Sequence, residues 1–202
     1  MDQSQVQSLA EAVLGRIFVP LEASGRHVHL TESQCRQLFG QALTPQRPLS
    51  QPGQYLASQR VTVIGPRGRF ENVAVLGPAR KEAQVELSMT DCRTLGLQAP
   101  IRQSGDVAGT PGVILEGPCG RIGLQNGVMI AQRHLHLTPE AATLFRVKDK
   151  QIITLQTYTA RPTLFQDVLV RVSTQFANAA HLDFDEANAC GMKPGDLGRI
   201  LP

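Results

Sequence analysis

The sequence contains two copies of one short motif, and this repeat constrains the fold more than any other feature. Residues 26–31 read RHVHLT, and residues 133–138 read RHLHLT. A second pair of segments, QVELSMTDCRTLG at 84–96 and AAHLDFDEANACG at 179–191, aligns without a gap. Because two landmarks recur in the same order, we interpret the chain as a duplication of one structural unit.

Short strands are predicted between these landmarks. Runs such as VTVIG (61–65) and QIITLQTY (151–158) are rich in β-branched residues, and turns such as GPCG (117–120) separate them. Closing a sheet removes its exposed edges. We therefore expect a mainly β fold with short α-helices, built as two duplicated β-barrel-like halves, residues 18–115 and residues 116–202.

The N-terminal segment, residues 1–17, has apolar residues at helical spacing and predicts an amphipathic helix over residues 4–17. These apolar residues are Val6, Leu9, Val13, Leu14 and Ile17. The helix either covers one end of the domain or docks the chain to a larger assembly, and the sequence leaves both readings open. The segment lacks the apolar region of a secretory signal.

The composition disfavours several classes of protein. With 20 Lys and Arg against 17 Asp and Glu, the formal net charge of +3 gives no indication of a nucleic-acid partner. No apolar run approaches the roughly 18 residues that a membrane helix needs.

The four cysteines form no CxxC pair, which disfavours a disulfide scaffold and a cysteine zinc site. They are Cys35, Cys92, Cys119 and Cys190. We expect reduced cysteines in an intracellular protein.

All five histidines fall on the repeated landmarks. They are His27, His29, His134, His136 and His181. In a strand, residues two apart point to the same face, so each HxH pair can aim two imidazoles at one point. The alignment places Glu86 on His181, which gives each half a third residue of zinc-ligand type. The alternative is that surface histidines coincide by chance.

Three protein ligands per half is the number expected for a catalytic zinc site with an open fourth position, whereas a structural zinc has four. We therefore predict two Zn²⁺ per chain in a dinuclear site at the junction of the halves, without assigning ligands to each metal. These assignments leave no histidine for a Ser-His-Asp or Cys-His mechanism. Only Glu86 offsets the metal charge, so the site favours an anion such as phosphate.

Three arginines lie close to the landmarks. Arg80, in LGPARK (76–81), can hold phosphate by a bidentate contact, and its alternative is an ordinary surface arginine. Arg26 and Arg133 precede the two HxH pairs. The sequence leaves open whether these two point into the site or form structural ion pairs.

Six segments of the chain together resemble the PduL-type phosphate acyltransferases. They are SGRHVHLT (24–31), LTPQRPLSQPGQY (43–55), LGPARKEAQVELSMTD (76–91), RQSGDVAGTPG (102–112), AQRHLHLTPEAA (131–142) and HLDFDEANACG (181–191). The resemblance runs in order from about residue 17 to the C-terminus. It implies two β-barrel-like halves that bind two zinc ions through the six residues named above.

The resemblance also implies substrate contacts. The phosphate-binding arginine of the family matches Arg80. Its CoA contacts carry over to Ser24, Leu76, His181 and Asn188. Two positions depart from the family pattern. Arg47 stands where the family commonly has lysine, so charge is kept at this CoA-binding position, and Ala74 replaces a family arginine.

The activity that the resemblance implies is acyl-CoA + phosphate ⇌ acyl phosphate + CoA, with a propanoyl or acetyl group and direct attack of phosphate on the thioester. We expect no covalent acyl-enzyme. Two alternatives remain. One is a dinuclear zinc hydrolase of a thioester or phosphoester, and the other is a non-catalytic assembly protein in which zinc only holds the two halves together. Phosphate dependence of CoA release separates the hydrolase from the transferase.

The resemblance implies a cellular context as well. Family members often work inside bacterial microcompartments, so the expected location is the bacterial cytoplasm, in the lumen of such a compartment. Shell proteins would then be partners of the N-terminal helix. Exposed faces on two barrels favour self-association, although the sequence leaves the oligomeric state open.

Overall fold

A computed structural model describes residues 13–201, together with residues 2, 4, 5 and 7. Of the predicted helix over residues 4–17, residues 4, 5, 7, 13 and 14 are helical and residues 15–17 form a turn, whereas residues 6 and 8–12 lie outside the described part of the chain. The chain divides into two compact units. The sheet unit consists of residues 24–132 and 183–185, and the barrel unit consists of the described residues up to 23, 133–182 and 186 onward.

The barrel unit is a closed barrel of six strands. Their order is β1 (Val19–Ser24), β14 (Ala179–Asp183), β11 (His134–Leu137), β13 (Leu164–Val172), β12 (Ile152–Tyr158) and β15 (Leu197–Leu201). Strands β11 and β13 are parallel. Leu135, Val168, Val170 and Leu182 are buried in the barrel core. Helix α3 (Pro139–Phe145) follows β11, and α4 (Phe184–Cys190) follows β14.

The sheet unit contains an open sheet of nine strands. In order they are β7 (Ile101–Arg102), β10 (Val128–Ala131), β6 (Gln84–Glu86), β2 (His27–His29), β5 (Arg69–Gly77), β4 (Tyr55–Ile64), β8 (Ile114–Gly117) and β9 (Gly120–Gly123), with β3 (Pro45–Pro48) paired to β4. Helices α1 (Glu32–Phe39) and α2 (Met89–Leu95) belong to this unit. Its core includes Val28, Leu30, Val75 and Val85.

The repeated HxHLT motif forms a strand followed by a helix cap in both units. The threonine that follows the two histidines is the N-cap of the next helix. The Thr31 hydroxyl accepts a hydrogen bond from the backbone N–H of Gln34 at 3.2 Å, and the Thr138 hydroxyl accepts one from the backbone N–H of Ala141 at 3.2 Å. This contact satisfies a backbone N–H that the first helical turn leaves without a partner. The motif therefore fixes where α1 and α3 begin.

A partly buried ion pair is also repeated. Arg26 makes two hydrogen bonds to the Asp91 carboxylate, at 2.8 and 3.2 Å, and its guanidinium lies 4.0 Å from the Phe70 ring centroid. Arg133 contacts the Glu186 carboxylate at 2.8 Å. The ungapped alignment of the landmarks places Asp91 on Glu186, so the two pairs are equivalent. Of the two readings of Arg26 and Arg133, the structure supports the structural ion pair.

The predicted fold class is confirmed: the protein is mainly β with short helices and has two barrel-like halves, one of them fully closed. The predicted boundaries of the duplicated copies, at residues 17 and 115, remain a prediction. Among the described residues, none of the helices has the length and apolar character required to cross a membrane.

Candidate metal centres

The structure brings together the three residues of each predicted triad. The sheet unit holds His27, His29 and Glu86, and the barrel unit holds His134, His136 and His181. Within each triad the candidate ligand atoms lie within 4.8 Å of one another. Both groups thus have the spacing of a metal site, and the binding of metal to them remains a prediction.

Strand register explains the triad of the sheet unit. Strand β2 pairs with β6 so that His27 lies opposite Glu86 and His29 opposite Gln84. Residues directly opposite in an antiparallel pair share a face of the sheet. Val28, between the two histidines, points the other way and is fully buried in the core. The core is therefore on one face of these strands, and the triad is on the other.

The barrel triad arises in the same way. Strand β11 pairs with β14 so that His134 lies opposite His181 and His136 opposite Ala179. Leu135 points into the barrel core, which places the histidines on the outer face. The three imidazole centroids are 4.6 to 4.9 Å apart.

Protonation in the sheet triad is governed by its carboxylate. Burial lowers the pKa of His27, but the Glu86 charge, at 3.5 Å, and hydrogen bonds to Glu86 and the Gly25 carbonyl outweigh it and raise that pKa. Burial acts to raise the pKa of Glu86, but His27, His29 and Arg80 hold it well below its usual range. Burial and the charges of His27 and Arg80 lower the pKa of His29. Glu86 is thus an anionic candidate ligand.

A hydrogen-bond network supports the Glu86 carboxylate. The Gln84 amide, only 2% exposed, donates to Glu86 Oε1 and to Ser104 Oγ at 2.9 Å. Its oxygen accepts from the Gly105 amide at 2.7 Å. Arg80 Nη1 donates to the same Ser104 hydroxyl at 3.0 Å. Gln84 therefore connects a candidate metal ligand with the candidate phosphate-binding arginine.

Histidine protonation in the barrel triad is governed by burial. Burial, followed by the charges of His134, His181 and Arg171, lowers the pKa of His136 to about 2. The His136 ring stacks on Phe176, with centroids 3.9 Å apart. This imidazole is therefore neutral throughout the physiological range, which is the form that binds a metal.

Unpaired nitrogens test whether the triads fit a metal ion. Both ring nitrogens of His136 and Nδ1 of His29 are buried and have no hydrogen-bond partner among the described residues. A buried polar atom without a partner costs about 1–3 kcal/mol. A metal ion bound at each triad would use such nitrogens. For His27, the bond from Nδ1 to the Gly25 carbonyl leaves Nε2 as the ligand atom.

Sequence reasoning missed several residues that surround the triads. Glu22 lies 3.6 Å from His181 Nδ1, where a carboxylate can orient a ligand imidazole. Gln84 and Ser104 support the other triad. The repeat alignment contained no signal for Glu22 or Ser104. Gln84 could have been found, because it lies two residues before Glu86 on the same face of a strand.

Arg80 also lines an open cleft in the sheet unit. The cleft has a volume of about 300 Å³. The other residues around it are Pro52, Gly53, Gln54, Gly77 and Pro78. A cleft of this size is at the lower limit of small-molecule sites. The arginine is thus accessible to a small anion rather than enclosed in the core.

The candidate CoA contacts are distributed over both units. Ser24, Arg47 and Leu76 lie in the sheet unit, at the end of β1, on β3 and on β5. His181 and Asn188 lie in the barrel unit, on β14 and α4. Neither unit contains all five residues, and their role stays a prediction.

The three buried cysteines are unsuited to nucleophilic catalysis. Burial, reinforced by Asp91 and Asp185, raises the pKa of the Cys92 thiol to about 11. Burial also raises the pKa of Cys35 and Cys190. A thiol attacks as the thiolate, which a raised pKa suppresses at neutral pH.

Comparison with known proteins gives consistent results. A sequence profile of the phosphate propanoyltransferase family matches residues 20–193. The chain is 46% identical to a phosphate propanoyltransferase of Clostridioides difficile (strain 630), over 98% of each chain. It is 50% identical to one from Leptotrichia buccalis, over 99% of each chain. The corresponding enzyme of Enterococcus faecalis is 50% identical over 90% of this chain and 87% of its own.

Proposed function

The chain belongs to the phosphate propanoyltransferase family and is an acyltransferase, and from this premise we propose that it interconverts a short acyl-CoA and inorganic phosphate with an acyl phosphate and CoA. The observation that carries the proposal is the match to this family along nearly the whole chain. The relatives' name indicates a propanoyl group, and acetyl-CoA is a second candidate substrate because it differs by one methylene.

The proposed cofactor is zinc, with one ion at each triad. The barrel triad supplies three imidazoles, and the sheet triad supplies two imidazoles and a carboxylate. Both donor sets suit zinc and leave a coordination position open. Bound zinc would supply Lewis acidity, which polarises the oxygens of a bound anion and offsets its negative charge.

In this proposal Arg80 holds the attacking phosphate. Its guanidinium can bind two phosphate oxygens at once, and the hydrogen bond to Ser104 restricts its position. The positive charge also offsets the charge that phosphate brings close to the thioester. Holding the two reactants in contact contributes much of the rate, because it removes the entropy cost of their encounter.

The proposed reaction is a direct displacement. A phosphate oxygen forms a bond to the thioester carbonyl carbon, and the carbon–sulfur bond then breaks. CoA leaves as a thiolate, which takes up a proton, and the acyl phosphate remains. Ser24, Arg47, Leu76, His181 and Asn188 are the candidate CoA contacts. A covalent acyl-enzyme is not required, and the raised pKa of Cys92 argues against one on that thiol.

Phosphate-dependent release of CoA is the test of this function. We expect the zinc-loaded protein to release CoA from propanoyl-CoA only when phosphate is present, and to form propanoyl phosphate in equal amount. Release of CoA in phosphate-free buffer would instead identify a hydrolase. Acetyl-CoA, assayed in parallel, reports the acyl preference.

A substitution tests the metal assignment within this function. We expect His134→Ala to lose zinc and to lower acyl transfer at least about 100-fold, since it removes one of three ligands. A His134→Ala protein with full zinc content and full activity would disprove the assignment. Arg80→Gln should retain zinc and raise the KM for phosphate about 10-fold or more.

We also propose that the N-terminal segment, residues 1–17, docks the enzyme to the shell of a bacterial microcompartment. The support is its apolar residues at helical spacing. Of these, Val13, Leu14 and Ile17 are 43–49% exposed. Deleting residues 1–16 should abolish co-fractionation with shells and leave activity in solution unchanged. Loss of activity on deletion would show that the segment is structural.

A further inference from the structure

Arg171 is the cross-strand neighbour of a triad histidine. Strands β11 and β13 are parallel, and their register pairs His136 with Arg171 and Leu135 with Val170. Neighbouring strands lie about 4.8 Å apart, and paired residues share a face of the sheet. Val170 is fully buried in the barrel core. Arg171 therefore lies on the outer face, beside His136.

The contacts of Arg171 leave its charge uncompensated. Its guanidinium carbon lies 5.5 Å from the ring centroid of Phe176, the same ring that stacks on His136. Among the residues that the structure describes, Arg171 has no carboxylate within ion-pair distance. Arg133, the other arginine beside this triad in sequence, is paired with Glu186. Arg171 is thus positioned by an aromatic ring and available to a ligand.

The duplication shows that this cation is particular to the barrel copy. In the sheet unit, β2 and β5 pair in the same parallel arrangement, with His27 opposite Ala74 and Val28 opposite Val75. Extending this register by one residue would place Leu76 beside His29, at the position that Arg171 occupies beside His136. An apolar residue suffices at that position in one copy, so folding of the repeat does not require an arginine there.

Electrostatics indicate what this face would bind. The barrel triad consists of three imidazoles and includes no carboxylate, unlike the triad that contains Glu86. The carboxylate that the structure places close to it is that of Glu22, 3.6 Å from His181. A divalent cation at the triad, next to a guanidinium, would leave a surplus of positive charge. Such an arrangement becomes favourable when an anion occupies the open position.

We propose that Arg171 binds a phosphate-type oxyanion at the outer face of the barrel, beside His136. This deepens the proposed function and rests on it for the source of the anion, which is either inorganic phosphate or a phosphate ester of CoA. The planar guanidinium matches two oxygens of a phosphate group and can donate to both. The cation–π contact with Phe176 restricts the Arg171 side chain and so lowers the entropy that it loses on binding.

Direct binding measurements test this proposal. The variants are Arg171→Gln and Arg171→Lys, and Arg199→Gln is the matched control, an exposed arginine on β15 of the same barrel. Calorimetry on zinc-loaded protein would measure the affinity for inorganic phosphate and, separately, for adenosine 3′,5′-bisphosphate. We expect Arg171→Gln to weaken one of the two ligands about 10-fold to 100-fold, with a smaller loss for Arg171→Lys and none for Arg199→Gln.

Zinc affinity distinguishes this role from a structural one. Removing a positive charge beside the triad should leave zinc binding unchanged or make it tighter, while anion binding weakens. Weaker phosphate binding identifies inorganic phosphate as the ligand, and weaker binding of the bisphosphate identifies CoA. If Arg171→Gln fails to fold, Arg171→Lys keeps the charge and should still bind one anion several-fold more weakly.

Two results would overturn the proposal. One is wild-type affinity for both anions in a fully zinc-loaded Arg171→Gln protein, or in a folded Arg171→Lys protein if the glutamine variant does not fold. The other is loss of zinc from Arg171→Gln, which would make the arginine a support of the metal site. Because the measurement needs no turnover, a protein that binds phosphate through Arg171 but transfers no acyl group would refute only the proposed function.

Discussion

The pKa of a histidine is raised in one triad and lowered in the other, as His27 and His136 show. His27 faces the Glu86 carboxylate, which outweighs burial and raises its pKa. His136 faces two imidazoles and a guanidinium, and these add to the effect of burial. Because Glu86 is a member of the sheet triad and the barrel triad consists of three imidazoles, the two triads differ in net charge by one unit when equally loaded. The pKa of His29, which is the repeat equivalent of His136, is lowered as well, so the raised pKa is specific to the histidine that contacts Glu86.

Gln84 provides a residue-scale prediction. The substitution Gln84→Ala removes hydrogen bonds to Glu86, Ser104 and the Gly105 amide, so a buried ligand carboxylate loses its support. We expect about a 10-fold to 100-fold loss of zinc affinity at the sheet triad. We also expect a stability loss of about 1–3 kcal/mol, because buried groups lose their partners. Competition with a zinc-binding dye measures the zinc affinity, and urea unfolding measures the stability.

The matched control for this prediction is Gln37→Ala. Gln37 is an exposed glutamine on helix α1, in the same unit, and its truncation should change neither quantity measurably. If Gln84→Ala binds zinc as tightly as Gln37→Ala does, Gln84 fills space without orienting Glu86.

At the scale of elements, six residues specify a strand, its two faces and the start of a helix. In each RHxHLT copy, the arginine forms an ion pair, the histidines form one side of a triad and the leucine is buried. The threonine caps the following helix. The helices themselves are only seven or eight residues long. Helices this short are marginal by propensity, so their caps and packing must stabilise them.

The cap of helix α3 provides the prediction at this scale. Thr138→Ala removes the side-chain oxygen that accepts from the Ala141 amide, so one N–H of the first turn loses its partner. We expect the free energy of unfolding to fall by about 1 kcal/mol. Urea unfolding followed by circular dichroism measures this change.

Thr138→Ser is the matched variant, because serine keeps the capping hydroxyl and loses only a methyl group. It should retain most of the wild-type stability. Equal losses in the alanine and serine variants would show that the methyl group, rather than the cap, is what matters at this position.

At the scale of the whole molecule, duplication has given each unit its own complete triad. Each set of three ligands lies within one compact unit, one on an open sheet and one on a closed barrel. Among the described residues, each unit therefore has three candidate ligands of its own.

Zinc stoichiometry is the prediction that follows for the whole molecule. We expect two zinc ions per wild-type chain, and one in His136→Ala or Glu86→Ala, because each substitution leaves the other triad with all of its ligands. Removing both ions with a chelator should lower the melting temperature and abolish acyl transfer, and added zinc should restore both.

Metal analysis by mass spectrometry, with the Arg199→Gln protein as a control, checks this count. A single substitution that removes both ions would mean that the triads cannot load separately. A wild-type chain that holds one ion would show that only one of them binds metal.

The repeat alone was enough to predict the fold class and to select the residues of both triads. The alternation of side chains along a strand is a local property. Along β2 and β11 it places the histidines on one face and Val28 or Leu135 on the other. The correspondence of Glu86 with His181 then supplied the third member of each triad. Local patterns of this kind can be predicted from a sequence because residues close together along the chain determine them.

Tertiary structure decided the surroundings of the triads. Pairing of β13 with β11 places Arg171 beside His136, 35 residues away in the chain, and a loop brings Ser104 to Gln84 and Arg80. It also resolved the role of Arg26, which binds Asp91. Strand order depends on the free energy of packing the whole unit, and no local pattern encodes it. The sequence by itself thus determined which residues form the triads, whereas the folded chain determined which charges and hydrogen bonds surround them.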